Sequence, residues 1–352
     1  MKQDMQHRTQ DFASKKPVAA TRPGRLWHWV ILCGLLTLHC HTPKRTATMQ
    51  ENTANPLLCD PEEGACRLPG TDTQAAAPEV APADKPLRIV YFTDPICSSC
   101  WGIEPQLRRL KLEYGHLVAV TYHMGGLLPS WDIYNSGGIS KPSDVAGHWD
   151  EVSAHYNMPI DGDVWLEDPL PSSYPPSIAF KAAQRQDGHK ALLFLRRIRE
   201  MVFLEKKNIT RWEHVAAAAV EVGLDVARLR QDYAGAAEQD FQADLALARQ
   251  YGVRGFPTLF VQDSAGGQVM LYGVRPYASM TAALTRLLPS AQPRAYATDW
   301  QGLFAQYPSL TAQEYAVLAG VDAATALEDL AALTSQGALR VQMTKNGGIW
   351  RR

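Results

Sequence analysis

The chain has 352 residues, 46% hydrophobic and 20% charged, with 35 basic against 36 acidic side chains and a net charge of -1. At roughly 100–200 residues per domain that allows two or three domains with real cores and excludes global disorder. Near-neutrality excludes a basic protein that coats nucleic acid, the absence of any apolar run near ~18–20 residues excludes a polytopic membrane protein, and six cysteines are too few to staple so long a chain.

The charge is unevenly spread. Met1–Thr48 carries eight basic residues against Asp4 and Asp11, a net +6, and the remainder carries -7. An apolar run from Leu26 to Leu38 precedes His39, Cys40 and His41. A basic start and such a run fit a signal peptide, but no Ala-x-Ala cleavage site follows. Cys40 suggests a lipoprotein, although His39 stands where a small residue is wanted. The leader also reads as a disordered tail, or as a misassigned start with Met49 the true first residue. A start at Met49 makes the protein cytoplasmic. The signal-peptide and lipoprotein readings make it exported, or membrane-anchored through residues 26–38.

Residues 49–86 form a cysteine-bearing segment and a linker. In Asn55–Gly70 (NPLLCDPEEGACRLPG) a Pro and a Gly separate Cys59 from Cys66, so the chain can turn back and a disulfide fits across the turn. The pair reads as a second redox pair, as a metal-binding pair or as a local structural one. Thr71–Pro86 is an Ala/Pro-rich linker.

LRIVYFTD, from Leu87, predicts a buried strand that Pro95 stops. A helix follows from Cys97, with Trp101, Leu107, Leu110 and Leu112 at helical spacing and Gly115 closing it. HLVAVTYHM predicts a second buried strand, completing strand–helix–strand. Gly125–Ser177 reads as loop. Helices are predicted over Ile178–Gln186, Lys190–Glu205, Arg211–Val222, Val226–Tyr233 and Asp240–Tyr251, the last capped by Gly252. In Lys190–Glu205 an apolar stripe leaves Arg196, Arg197 and Arg199 on a face expected to be solvated. Thr258–Gln262 and Val269–Tyr272 form a hairpin, and Tyr277–Leu288 is a closing helix. The whole is an α/β fold, a mixed sheet flanked by helices.

Cys97-Ser-Ser-Cys100 lies at the junction of strand and helix. There the unpaired N–H groups of the first turn favour a thiolate on Cys97, and Cys100, one turn on, can resolve a mixed disulfide. A zinc half-site completed by Cys59 and Cys66, or two core thiols, are the other readings. Gly255-Phe256-Pro257-Thr258 places a proline, suited to a cis bond, at the entry of a strand. Beside a Cys-x-x-Cys, the backbone of Phe256 is free to pair with an extended substrate, with Pro257 and Thr258 shaping the site.

YFTDPICSSCWGIEP, a helical insert and GVRGFPTLF resemble the DsbA family of thioredoxin-like proteins, closest to its FrnE-type and SpxH-type (ClpXP-adaptor) branch. The likeness covers about Leu87–Leu288 and carries over Cys97, Cys100 and Pro257. It implies a thioredoxin domain over 87–290 with a helical insert at about 125–235, and thiol–disulfide exchange with protein, peptide or small-thiol partners. It equally implies an adaptor that delivers a partner to a protease, since fold alone does not prove catalysis. No nucleotide, flavin or other cofactor motif is present.

Residues 296–352 read as a small winged-helix-like module, with helices at Trp300–Gln306, Ala312–Leu318 and Ala323–Ser335 before a hairpin. Its third helix has no Lys or Arg, which argues against DNA and for protein docking or dimerisation. Trp131, Trp149, Trp165, His148 and His155 either line a groove near Cys97 or anchor the core. Asp94 and Glu104 either shuttle protons or act as solvent-facing caps.

Overall fold

The computed structural model describes residues 59–60, 65–67, 85–134 and 140–352. The leader 1–48 and nearly all of the Thr71–Pro86 linker lie outside the described residues.

Two short strands, β1 (Cys59–Asp60) and β2 (Ala65–Arg67), pair antiparallel. β3 (Leu87–Thr93) is the expected apolar run, buried at every position but Arg88. The helix after it is two pieces, α1 (Ser98–Gly102) and α2 (Glu104–Tyr114), separated at Ile103. Pro105 explains the break: it has no N–H for the Trp101 carbonyl, and is tolerated only in a first helical turn. β4 (Val118–Met124) then lies parallel to β3, with Tyr91 opposite Tyr122.

The segment from Gly125 to Ser177 is not all loop. It holds α3 (Ser143–Tyr156), α4 (Val164–Glu167) and the start of α5 (Tyr174–Gln186). In α3, Val145, Trp149 and Val152 are buried along one stripe, and Asn157 ends the helix in the left-handed region at φ 54°. Gly147 and the polar residues around it dilute that stripe in the sequence. α6 (Gly188–Leu204), α7 (Trp212–Glu221), α8 (Val226–Tyr233) and α9 (Ala236–Gln250) complete the insert, with α5 packed on α6, α8 and α9.

The chain returns through β5 (Gly255–Phe256), β6 (Thr258–Asp263) and β7 (Gln268–Tyr272) to α10 (Tyr277–Leu287). The main sheet has the order β4-β3-β6-β7, with β6 antiparallel to both β3 and β7. The mixed sheet expected from the sequence is therefore present, and its apolar residues join the insert in one core.

A second core, built around Leu303, Leu310, Leu318, Leu330 and Trp350, belongs to the C-terminal module. This comprises α11 (Trp300–Gln306), β8 (Ser309–Thr311), α12 (Ala312–Ala319), α13 (Ala323–Ser335), β9 (Arg340–Thr344) and β10 (Gly347–Arg351). Its antiparallel sheet runs β8-β10-β9, so the hairpin gains a third strand that sequence reading did not give. The module sits against α2 and α6. Arg108 donates to the Ser309 carbonyl at 2.8 Å, and Arg351 to Glu200 at 2.7 Å. Among the described residues, no helix is long and apolar enough to cross a membrane.

Candidate functional site

The site begins where β3 ends. The buried Asp94 carboxylate accepts from the Ile96 N–H at 3.0 Å, the Leu127 N–H at 2.8 Å and the Ser173 hydroxyl at 2.8 Å. It thereby ties the turn before the cysteines to the insert. Cys97 is the N-cap of α1, its sulfur accepting from the Cys100 N–H at 3.1 Å. Both cysteines are thiols and both are buried.

The charge distribution differs from the sequence expectation. Burial pushes the Cys97 thiol well up, helped by its hydrogen bond to Cys100, and outweighs the helix start. Burial opposes ionisation of Cys100 as well. There, however, the Cys97 hydrogen bond, the Arg199 charge and the Thr93 and Tyr91 hydroxyls prevail and hold the thiol below its ordinary value. Burial also raises Asp94 to about 6, against its hydrogen bonds and Arg199, and this carboxylate pushes Cys97 further up.

Arg199 is the residue that sequence reading missed. The face of α6 expected to be solvated is enclosed: Arg199 is 1% exposed, and it donates to Glu104 at 2.8 Å, to the Thr93 hydroxyl at 2.6 Å and to the Asp94 carbonyl at 3.2 Å. Arg196 lies over the Trp101 ring at 4.2 Å and pairs with Glu314 at 2.8 Å. The redox turn covers this face from one side and the C-terminal module from the other. Glu104 is likewise not solvent-facing; burial opposes its charge, but Arg199 and Arg108 hold it below the usual carboxylate range. The one signal in the sequence is two arginines three residues apart beside an otherwise apolar stripe.

The β3–β6 register sets Phe92 opposite Thr258 and so brings the Gly255–Thr258 loop beside the turn that carries the cysteines. The Phe256–Pro257 peptide is cis. The Thr258 hydroxyl donates to the Gly255 carbonyl at 2.6 Å. The Phe256 ring fills the space above Gly125, where a Cβ would lie 1.8 Å from it.

β2 pairs antiparallel with β5, Cys66 opposite Phe256 and Arg67 opposite Gly255. Cys66 is buried and disulfide-bonded, the register sets Cys59 opposite it, and its sulfur stands 3.3 Å from that of Cys97. The structure thus brings Cys66, Cys97, Cys100, Phe256, Pro257 and Thr258 together. An oxidised Cys66 is not a thiolate ligand for zinc, and among the described residues no cluster of His, Cys, Asp and Glu could hold a metal ion.

The three tryptophans belong to the core, and His155 is exposed. Trp149 and Trp165 are buried and pack edge to face at 5.2 Å, Trp149 lies 4.8 Å from Phe203, and Trp131 donates to the Leu170 carbonyl at 2.8 Å. A cavity of 570 Å³ is lined by Glu104, Arg108, Arg196, Tyr307 and Arg351 among others, and neither cysteine lines it.

Residues 91–282 match the family profile described as Thioredoxin. The ClpXP adapter protein SpxH of Halalkalibacterium halodurans is 31% identical over 306 residues, which is 86% of this chain and 98% of that protein. The SpxH of Shouchella clausii is 31% identical over 83% of this chain and 96% of its own length. Among solved structures, the cytosolic disulfide reductase DsbM of Pseudomonas aeruginosa is 22% identical, covering 57% of this chain and 99% of that one at a TM-score of 0.47. With a Cys-x-x-Cys at the end of its central strand and a helical insert in its sheet, the chain belongs to the thioredoxin family, with SpxH proteins among its relatives.

Proposed function

We propose that the protein is a thiol–disulfide oxidoreductase in which Cys97 attacks and Cys100 resolves. The observation that carries this reading is the occupied groove: an extended strand is paired to the Phe256 backbone with its sulfur 3.3 Å from Cys97. That is the placement a peptide substrate needs, backbone bonds fixing the chain and one sulfur meeting the nucleophile. Phe256, Pro257 and Thr258 form the groove edge. The substrates are protein, peptide or small-molecule thiols and disulfides, and the reaction needs no cofactor. Direction follows the compartment: a start at Met49 gives a reductase or isomerase in a reducing cytosol, and a processed N-terminus gives an oxidase.

The test is turnover of a disulfide-bonded reporter peptide by wild type, Cys97→Ser and Cys100→Ser. Cys97→Ser is expected to abolish turnover, and Cys100→Ser to accumulate a mixed disulfide with the reporter. Wild-type turnover unchanged in Cys97→Ser overturns the reading.

A second reading draws on the printed name of the relatives. The protein is then an adapter that delivers a partner to a protease, with the C-terminal module as docking surface. In its favour, the C-terminal residues expose Leu327 at 50% and Met343 at 65%, and α13 has no basic side chain for nucleic acid. If Cys97→Ser keeps partner delivery while Leu327→Asp or Met343→Asp abolishes it, the adapter reading prevails.

A further inference from the structure

The groove at Cys97 is filled by the chain itself. Three observations converge there. β2 is hydrogen-bonded to β5 in antiparallel register, so this edge of the site already holds a strand. Cys66, the strand residue opposite Phe256, is oxidised, and the register gives Cys59 as the position facing it. The Cys97 sulfur stands 3.3 Å from that of Cys66, and both residues are fully buried. A merely structural hairpin disulfide has no reason to meet the first sulfur of the Cys-x-x-Cys.

We propose that Cys59 and Cys66 form a resident second redox centre, whose disulfide is the first exchange partner of the Cys97/Cys100 dithiol. The proposal deepens the oxidoreductase reading and rests on it. In the first step Cys97 gives up its thiol proton and attacks Cys66. The Cys97–Cys66 bond forms, the Cys66–Cys59 bond breaks, and Cys59 leaves as a thiolate that takes up a proton. In the second step Cys100 loses its proton and attacks Cys97. The Cys97–Cys100 disulfide forms and Cys66 leaves as a thiolate that is protonated in turn. Two electrons pass from the inner pair to the outer pair, two thiol protons are lost and two regained, and no external reagent takes part. The reverse sequence reoxidises the outer pair.

Two consequences follow for the groove. The hairpin and an external peptide compete for the same backbone edge at Phe256, so the resident strand has to leave before a substrate enters. Once reduced, the outer pair is no longer held in a closed ring, and as a dithiol it can pass its electrons to an external protein or low-molecular-weight disulfide.

The full chain carrying Cys100→Ser tests the first step, because it stops the exchange at the mixed disulfide. After acid quench and thiol alkylation, peptide mass mapping is expected to find a Cys66–Cys97 linkage with Cys59 alkylated. If Cys59–Cys66 is the only linkage and Cys97 is alkylated, the relay is overturned. A second variant separates that failure from failure of the oxidoreductase reading. Full-length Cys59→Ser/Cys66→Ser/Cys100→Ser, given a disulfide-bonded reporter peptide, is expected to capture it on Cys97, and at least tenfold faster than Cys100→Ser alone. Capture at the same rate in both proteins overturns the occupied-groove argument. No capture in either overturns the oxidoreductase reading and the relay with it.

Discussion

Arg199 places its guanidinium on the Thr93 hydroxyl at 2.6 Å, so a cation from the insert helix lies directly behind the last residue of the central strand. From there it acts on Cys100, with the Thr93 and Tyr91 hydroxyls, to hold that thiol down. Arg199→Met is expected to move the Cys100 alkylation midpoint to higher pH and to cost about 3 kcal/mol of stability, since Glu104 loses a buried partner. Arg199→Lys keeps the charge and should restore much of the midpoint. The rate of iodoacetamide modification against pH measures this, and a midpoint unmoved in folded Arg199→Met would sink the assignment.

Gly125 and Phe256 define one wall of the proposed peptide groove. A Cβ at Gly125 would fall 1.8 Å from the Phe256 ring, and that ring is fully buried with nowhere to withdraw. Gly125→Ala is therefore expected to cost about 1–3 kcal/mol by overpacking and to shift the β5 backbone. Reporter-peptide capture should slow even where urea titration shows the protein folded. Capture at the wild-type rate contradicts this placement.

Two buried carboxyls give the pH–stability curve opposite slopes in adjacent windows. Burial works against the Glu200 carboxylate, but Arg196 and Arg351 hold it down to about 2. Its contribution is present above the ordinary carboxylate range near ~4.5 and is lost as pH falls toward ~2, a loss of up to about 3 kcal/mol. Asp94 is raised to about 6, chiefly by burial. The fold favours its protonated form, so stability falls as pH rises from ~4 to ~6, again by up to about 3 kcal/mol. Urea midpoints from pH 2 to 7 should show a maximum near pH 4 to 5 from these two groups. Glu200→Gln should flatten the acid side and Asp94→Asn the other.

Trp101 is fully buried beside Cys100. It donates to the Pro159 carbonyl at 3.0 Å and stacks on Phe203 at 5.4 Å, with Arg196 over its ring. Trp101→Ala is expected to cost about 3–5 kcal/mol. Trp101→Phe keeps the stack, loses the hydrogen bond, and should cost about 1–3 kcal/mol. Thermal unfolding of both variants checks the order, which a surface tryptophan would not show.

What the sequence made legible was what is local. The apolar run of β3, the Cys97–Cys100 spacing and the proline before β6 are short patterns whose physics does not depend on distant partners. The β3–β6 register then brings the last two together. Arg199 was illegible because its partners Glu104 and Thr93 lie about a hundred residues earlier in the chain. α3 was hidden because Gly147 and polar neighbours blur a stripe that only tertiary burial makes visible. The charge state of Cys97 was misjudged because helix-start arguments presume solvent, and Cys66 lies against its sulfur.

Glu314 has a consequence for how separable the two cores are. It closes the capping box of α12, its carboxylate accepting from the Thr311 N–H at 2.8 Å. The same carboxylate, fully buried, is shared with Arg196 at 2.8 Å and Arg108 at 3.3 Å from the thioredoxin side. The carboxylate that caps α12 is thus neutralised by cations from α2 and α6. Residues 296–352 grafted onto a foreign scaffold would carry an unbalanced interior anion into α12, so the module is not a transferable cassette. Chimeras that exchange residues 296–352 must exchange Arg108 and Arg196 with them.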